Sequence, residues 1–134
     1  MAITDGHGLP IGFHLASASP HETKLVEATL DNVYCCQIPS KIICDRAYGS
    51  DPLDNRIKAK YEIDIVAPHK DGRRKKPTQD GRSLRRYARR WKVERLFAWL
   101  QNYRRLTTRW EHYLHNFQGF LELAAVLILI RFGL

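Results

Sequence analysis

At 134 residues the chain is long enough to bury one core, and its 44% hydrophobic and 10% aromatic content excludes a disordered chain. The net charge of +8 is concentrated: residues 70–109 hold 15 Lys or Arg against 3 Asp or Glu, leaving 7 against 11 elsewhere. Such a one-sided block fits a polyanion. It does not fit a membrane surface, because Trp91, Phe97 and Trp99 form no single apolar face opposite the bases.

In chain order, residues 2–4 are short and apolar, and Asp5-Gly-His-Gly8 follows as a turn signal. Residues 10–18 alternate Ile11, Phe13 and Leu15, predicting the second strand of a β-hairpin, with Asp5 as turn chemistry. Ser19 or Pro20 starts a helix to about Asn32, where Leu25, Val26, Ala28, Thr29 and Val33 supply the inward stripe. His21 reads as a helix-start polar residue. Residues 35–40 connect. The three cysteines, Cys35, Cys36 and Cys44, are odd in number and lack C-x-x-C spacing, which predicts reduced thiols in a cytoplasmic protein rather than disulfides or zinc. Met1 leads directly into a strand-like stretch, so no signal peptide is expected.

Residues 41–44 predict a buried strand ending abruptly in Asp45. A turn over 46–50, a helix from Asp51-Pro52 to about Lys60 and a strand over 63–67 follow, an alternation that implies an α/β sheet with parallel neighbours. A carboxylate at the end of such a strand is where open α/β sheets position their sites, although Asp45 also suits a turn cap. Residues 69–81 are expected to be a charged loop containing Arg73, Arg74, Lys75 and Lys76.

A long basic helix is predicted from about Arg82 to Asn102. Within it Tyr87, Arg90, Glu94, Ala98 and Gln101 share one sector at about 100° per residue, with Trp91 beside them. Arg85, Arg86, Arg89, Arg90, Lys92 and Arg95 surround its first half, while Val93, Leu96, Phe97, Trp99 and Leu100 dock its second half. Glu94 is thus one acid among many bases, either a charge-balancing partner or a metal ligand. A basic turn over 103–109 leads to a last helix over about 112–130. Glu122 and Arg131 bracket only eight of its residues, which predicts a buried helix rather than a membrane span.

If Asp45 and Glu94 converge, two carboxylates in a basic groove suit hard cations such as Mg²⁺ and the in-line displacement of a phosphodiester. Spacing alone does not establish that convergence.

The motifs carry a resemblance. Ile43-Cys-Asp45-Arg-Ala-Tyr48 looks like the second-aspartate motif of bacterial insertion-sequence transposases of the DDE type, and Tyr87-x2-Arg90-x3-Glu94 is similar to that family's Tyr-Arg-Glu-Lys signature. Further matches run through Thr4-Asp-Gly-His-Gly-Leu-Pro10, Ala67-Pro68, Thr78-Gln-Asp-Gly-Arg82, Arg89-Arg-Trp-Lys-Val-Glu-Arg95 and Arg104-Arg105. The resemblance implies a single domain over residues 1–134, the C-terminal portion of a ribonuclease-H-like catalytic domain, followed by C-terminal helices. It implies that Asp45 and Glu94 are catalytic metal ligands for Mg²⁺ or Mn²⁺. It further implies DNA contacts at Tyr87, Arg90 and the surrounding bases.

Two positions depart from the family pattern. Gln101 stands where the signature has Lys, and it still hydrogen-bonds a phosphate without bringing charge. The family's first aspartate belongs to a strand before the hairpin, and its absence predicts a truncated or second-frame transposase whose metal site needs that residue supplied. The alternative is an inactive fragment that binds DNA nonspecifically and interferes with an intact transposase. A third reading is a basic helical protein in which Glu94 only balances charge. The expected partners are transposon-end and target DNA and further copies in a transposition complex, with neither membrane nor small-molecule substrate.

Overall fold

The hairpin forms where turn chemistry and alternation predict it. In this computed structural model, which describes residues 1–35, 38–69, 72 and 81–133, β1 (Ala2–Thr4) pairs antiparallel with β2 (Pro10–Phe13). Asp5 closes the turn: its Oδ1 accepts from the His7 and Leu9 backbone N–H groups, each at 2.8 Å. The second strand ends at Phe13 rather than at Ala18, because Phe13 already faces Ala2 at the start of the three-residue β1.

The chain folds as two compact units, Met1–Tyr34 with Lys92–Leu134, and Cys35–Trp91. In the first unit, the predicted 19–32 helix is a 3₁₀ turn (Glu22–Lys24) followed by α1 (Val26–Asp31). His21, not Ser19 or Pro20, caps the turn, accepting from the Thr23 N–H. After α4 (Trp91–Leu100, in this unit from Lys92) come α5 (Arg104–Thr107) and α6 (Leu114–Phe132). Phe13, Leu96, Leu100, Leu121, Ala124, Ala125 and Ile128 form the core. The α6 contributions recur at i, i+3, i+4 and i+7, the stripe by which one helix face packs.

The expectation of a buried last helix holds for that stripe only. Leu123, Val126, Leu127 and Ile130 on another face are exposed. Nor is α6 too short for a span, as the eight bracketed residues suggest: it is long and apolar enough to cross a membrane by length and composition. Against a span stand its packed stripe and Glu122 within it, which accepts from Gln118 Nε2 at 2.8 Å.

In the second unit, β3 (Lys41–Ile43) and β4 (Asp64–Val66) pair in parallel across α2 (Asp51–Tyr61), as the strand–helix–strand alternation predicts, but β3 is not the buried strand expected, since Lys41 and Ile43 are exposed. Pro52 lies in the first turn of α2, and Leu53 and Ile57 are buried on it, as are Ile65 and Val66 on β4. Near the end of α2, Lys58 Nζ lies 2.8 Å from Asp64 Oδ1, and its hydrogen bond holds the Asp64 carboxyl below its ordinary range. The chain is therefore a mixed α/β protein with two two-stranded sheets among the described residues.

The predicted helix over 82–102 is broken. It becomes α3 (Gly81–Leu84), a 3₁₀ segment (Arg85–Arg89), a turn at Arg90, and α4. An α-helix sets Arg85 against Arg89 and Arg86 against Arg90 at i, i+4, where like charges repel. The 3₁₀ winding separates those pairs but sets Arg86 against Arg89 at i, i+3, so charge crowding alone does not account for the break.

Candidate functional site

Asp45 stands just past the carboxyl end of the parallel pair. The Cys44 N–H makes the last rung, donating to Val66 O at 3.0 Å. Asp45 Oδ1 then accepts from the Arg46 N–H at 2.6 Å and opens a 3₁₀ turn, Arg46–Tyr48. Tyr48 is buried, and Gly49 passes so close to the chain leaving β4 that an added Cβ would lie 2.6 Å from Pro68 O. These contacts fix where the turn, and with it the carboxylate, sits. Beside it, burial pushes the Cys44 thiol up to about 12, with help from the Asp54 and Asp45 carboxylates, so it is no nucleophile near neutral pH.

Tyr87 and Arg90 meet Asp45 from the other end of the same unit. Tyr87 Oη donates to Asp45 Oδ1 at 3.3 Å, and Arg90 Nη1 lies 2.9 Å from Asp45 Oδ2. Their i, i+3 spacing brings both to one face, and the 3₁₀ winding aligns them more closely. With three residues per turn, side chains at i and i+3 eclipse, so Tyr87 and Arg90 share a face. The Arg90 N–H bonds Tyr87 O at 3.0 Å, and the Arg90 guanidinium lies 5.5 Å over the Tyr87 ring. The Asp45 side chain is 52% exposed and that of Arg90 36%. A pair so exposed stabilises the fold by about 0–1 kcal/mol, so its consequence is orientation more than stability.

The other predicted site residues are distributed. Arg85, Arg86 and Arg89 are exposed on the 3₁₀ segment. Glu94 is exposed in the first turn of α4, in the first unit, where a carboxylate also suits the positive end of a helix. Lys92 Nζ donates to Gly6 O and Arg95 Nη2 to His7 O, tying α4 to the hairpin turn. Gly8 is required there: its φ is +86° and an added Cβ would meet Arg95 Nη2 at 2.7 Å. Gln101 lines an apolar cleft of about 240 Å³ with Phe13, Leu100, Phe117 and Leu121. Arg73, Arg74, Lys75 and Lys76 lie outside the described residues.

The oxygen donors of Asp45 have the right chemistry for a hard divalent cation. They are, however, engaged by Arg46, Tyr87 and Arg90, and no group of three His, Cys, Asp or Glu stands together among the described residues. The donor type fits the metal and the number does not, so no catalytic step follows from these side chains alone. What sequence reasoning misses is the Asp45 contact itself. It assigns Tyr87 and Arg90 to DNA, and only their i, i+3 spacing hints that they act as a pair.

The geometry gives a basic mixed α/β chain with Asp45 just past a strand end, and the family follows from comparison. The chain belongs to the family described as Transposase DDE domain, which it matches over residues 1–129. It is 28% identical over 134 residues to a putative transposase for insertion sequence element IS402 from Burkholderia cepacia, a match covering 94% of this chain and 59% of that relative. The chain thus spans less than two thirds of the relative's length. No solved structure matches it.

Proposed function

We propose that this chain carries the second and third acidic residues, Asp45 and Glu94, of a ribonuclease-H-like transposase domain that cleaves insertion-sequence DNA and transfers its strands. The reading is carried by the meeting of Asp45 with Tyr87 and Arg90, which unites the two motifs that resemble the family's signatures. Asp45 and Glu94 would hold Mg²⁺ or Mn²⁺, with a further carboxylate supplied by residues outside this chain. When bound, such ions activate the attacking oxygen and stabilise the leaving one. Arg90 neutralises charge beside the Asp45 carboxylate and, with Tyr87, orients the DNA near the cut. Arg85, Arg86, Arg89 and Lys92, the loop bases Arg73, Arg74, Lys75 and Lys76, and Gln101 hold the flanking backbone by charge and hydrogen bonds. The protein works in the cytoplasm, as part of a self-associated complex on transposon ends and target.

The test is a nicking assay with a version extended upstream by its own gene, on DNA bearing the element's ends. The extended protein should nick in Mg²⁺ or Mn²⁺, and Asp45→Ala and Glu94→Ala should each abolish nicking. Full activity in both variants would sink the assignment. A second reading is that the chain by itself binds DNA without sequence preference and without chemistry. The exposure of Arg85, Arg86 and Arg89 favours it.

A further inference from the structure

Between α5 and α6 the first unit carries another basic and aromatic surface, built from residues to which the proposed cleavage site assigns no role. Trp110 is 72% exposed and Tyr113 61%, more than any other large hydrophobic residue described. Their exposure is built in, because the segment is tied down around Glu111, whose side chain is only 7% exposed. Glu111 pairs with Arg105 at 3.1 Å and accepts the Trp110 N–H at 3.2 Å. The Arg109 guanidinium donates to the carbonyls of Glu111 at 3.0 Å and His112 at 3.3 Å. Those bonds hold the backbone while leaving the indole outside.

The rings form an array. His112 meets Tyr113 edge-on at 5.1 Å, and Tyr113 lies nearly parallel to His115 at 5.5 Å. Around them residues 103–121 contain Arg104, Arg105 and Arg109 against a single acid, Glu111.

An exposed indole in a segment rich in arginine has little to gain from intact duplex DNA, whose base faces are already stacked on one another. Unpaired nucleotides offer both a π-face and a phosphate, and stacking on aromatic side chains is how proteins hold them without reading sequence. We propose that the segment from Arg104 to His115 is a binding surface for unpaired nucleotides. Trp110 and Tyr113 stack on the bases, and Arg104, Arg105 and Arg109, whose charge exceeds that of the paired Glu111, hold the phosphates. The proposal rests on the DNA-binding reading and adds the strand form recognised.

The test compares the full chain and its variants on two probes at one salt concentration, a single-stranded oligothymidylate of about 20 nucleotides and a duplex of equal length. Trp110→Ala should weaken single-strand binding by about tenfold or more and duplex binding by less than about twofold. Tyr113→Ala should act in the same sense, and Trp110→Phe should retain most of the single-strand affinity because it keeps a ring. Equal losses on the two probes, or no loss on the single strand, would overturn the proposal while leaving DNA binding intact. A parent chain that binds neither probe would overturn both.

Discussion

Asp5 and Asp45 are both aspartates that follow a three-residue strand and accept backbone N–H groups in the next turn. Locally they are alike: Asp5 Oδ1 takes the His7 and Leu9 N–H groups, and Asp45 Oδ1 takes the Arg46 N–H. What separates them is long-range, since Asp45 alone receives Tyr87, 42 residues away, and Arg90. Asp5 is therefore structural, as Asp before Gly between two strands predicts. Asp5→Ala should destabilise the chain by about 1–2 kcal/mol, because two backbone donors lose their acceptor, while Asp5→Asn, which keeps an acceptor oxygen, should cost much less. Chemical denaturation of the two variants measures this, and equal losses would mean that charge rather than hydrogen bonding matters at the turn.

Element by element, hydrophobic period is a better guide than length. The α6 stripe of Leu121, Ala124, Ala125 and Ile128 packs on Leu96 and Leu100 of α4, which sequence reasoning already expects to dock. Leu96 is fully buried, so Leu96→Ala should cost about 2–5 kcal/mol. Val126, on the exposed face of the neighbouring α6, is 50% exposed, and Val126→Ala should stay within about 0.5 kcal/mol. Thermal or denaturant melts separate the two, and similar losses would show that the outer face of α6 is covered in solution. The basic helix is where the element reading fails. Composition favours one α-helix over 82–102, but the first half winds as a 3₁₀ segment whose last bond, Arg90 N–H to Tyr87 O, keeps Tyr87 and Arg90 on one face.

For the whole molecule, the charge asymmetry predicts how DNA binding responds to salt. Each phosphate neutralised releases about 0.9 counterion, so an interface of about four contacts should lose roughly a hundredfold in affinity between about 50 and 200 mM salt. Glu94→Ala and removal of divalent metal should leave that binding unchanged. Titration of a labelled duplex across salt tests it, and an affinity that barely moved would remove phosphate contacts as its basis.

Residue order alone determined the hairpin and its Asp turn, the parallel strand–helix–strand unit with Asp45 past the end of its first strand, the concentration of positive charge, and the motifs that join this chain to its family. These depend on turn chemistry, side-chain periodicity and composition, which act over a few residues. Tertiary structure decided that Tyr87 and Arg90 engage Asp45, that Lys92 and Arg95 hold the hairpin carbonyls, and that only one stripe of α6 is buried. It also decided that Trp110 stands exposed on a loop fixed around Glu111. Each of these depends on which groups meet across the fold, and a guanidinium, a tyrosine hydroxyl or an indole has the same local signature whether it meets a carboxylate, a carbonyl or solvent.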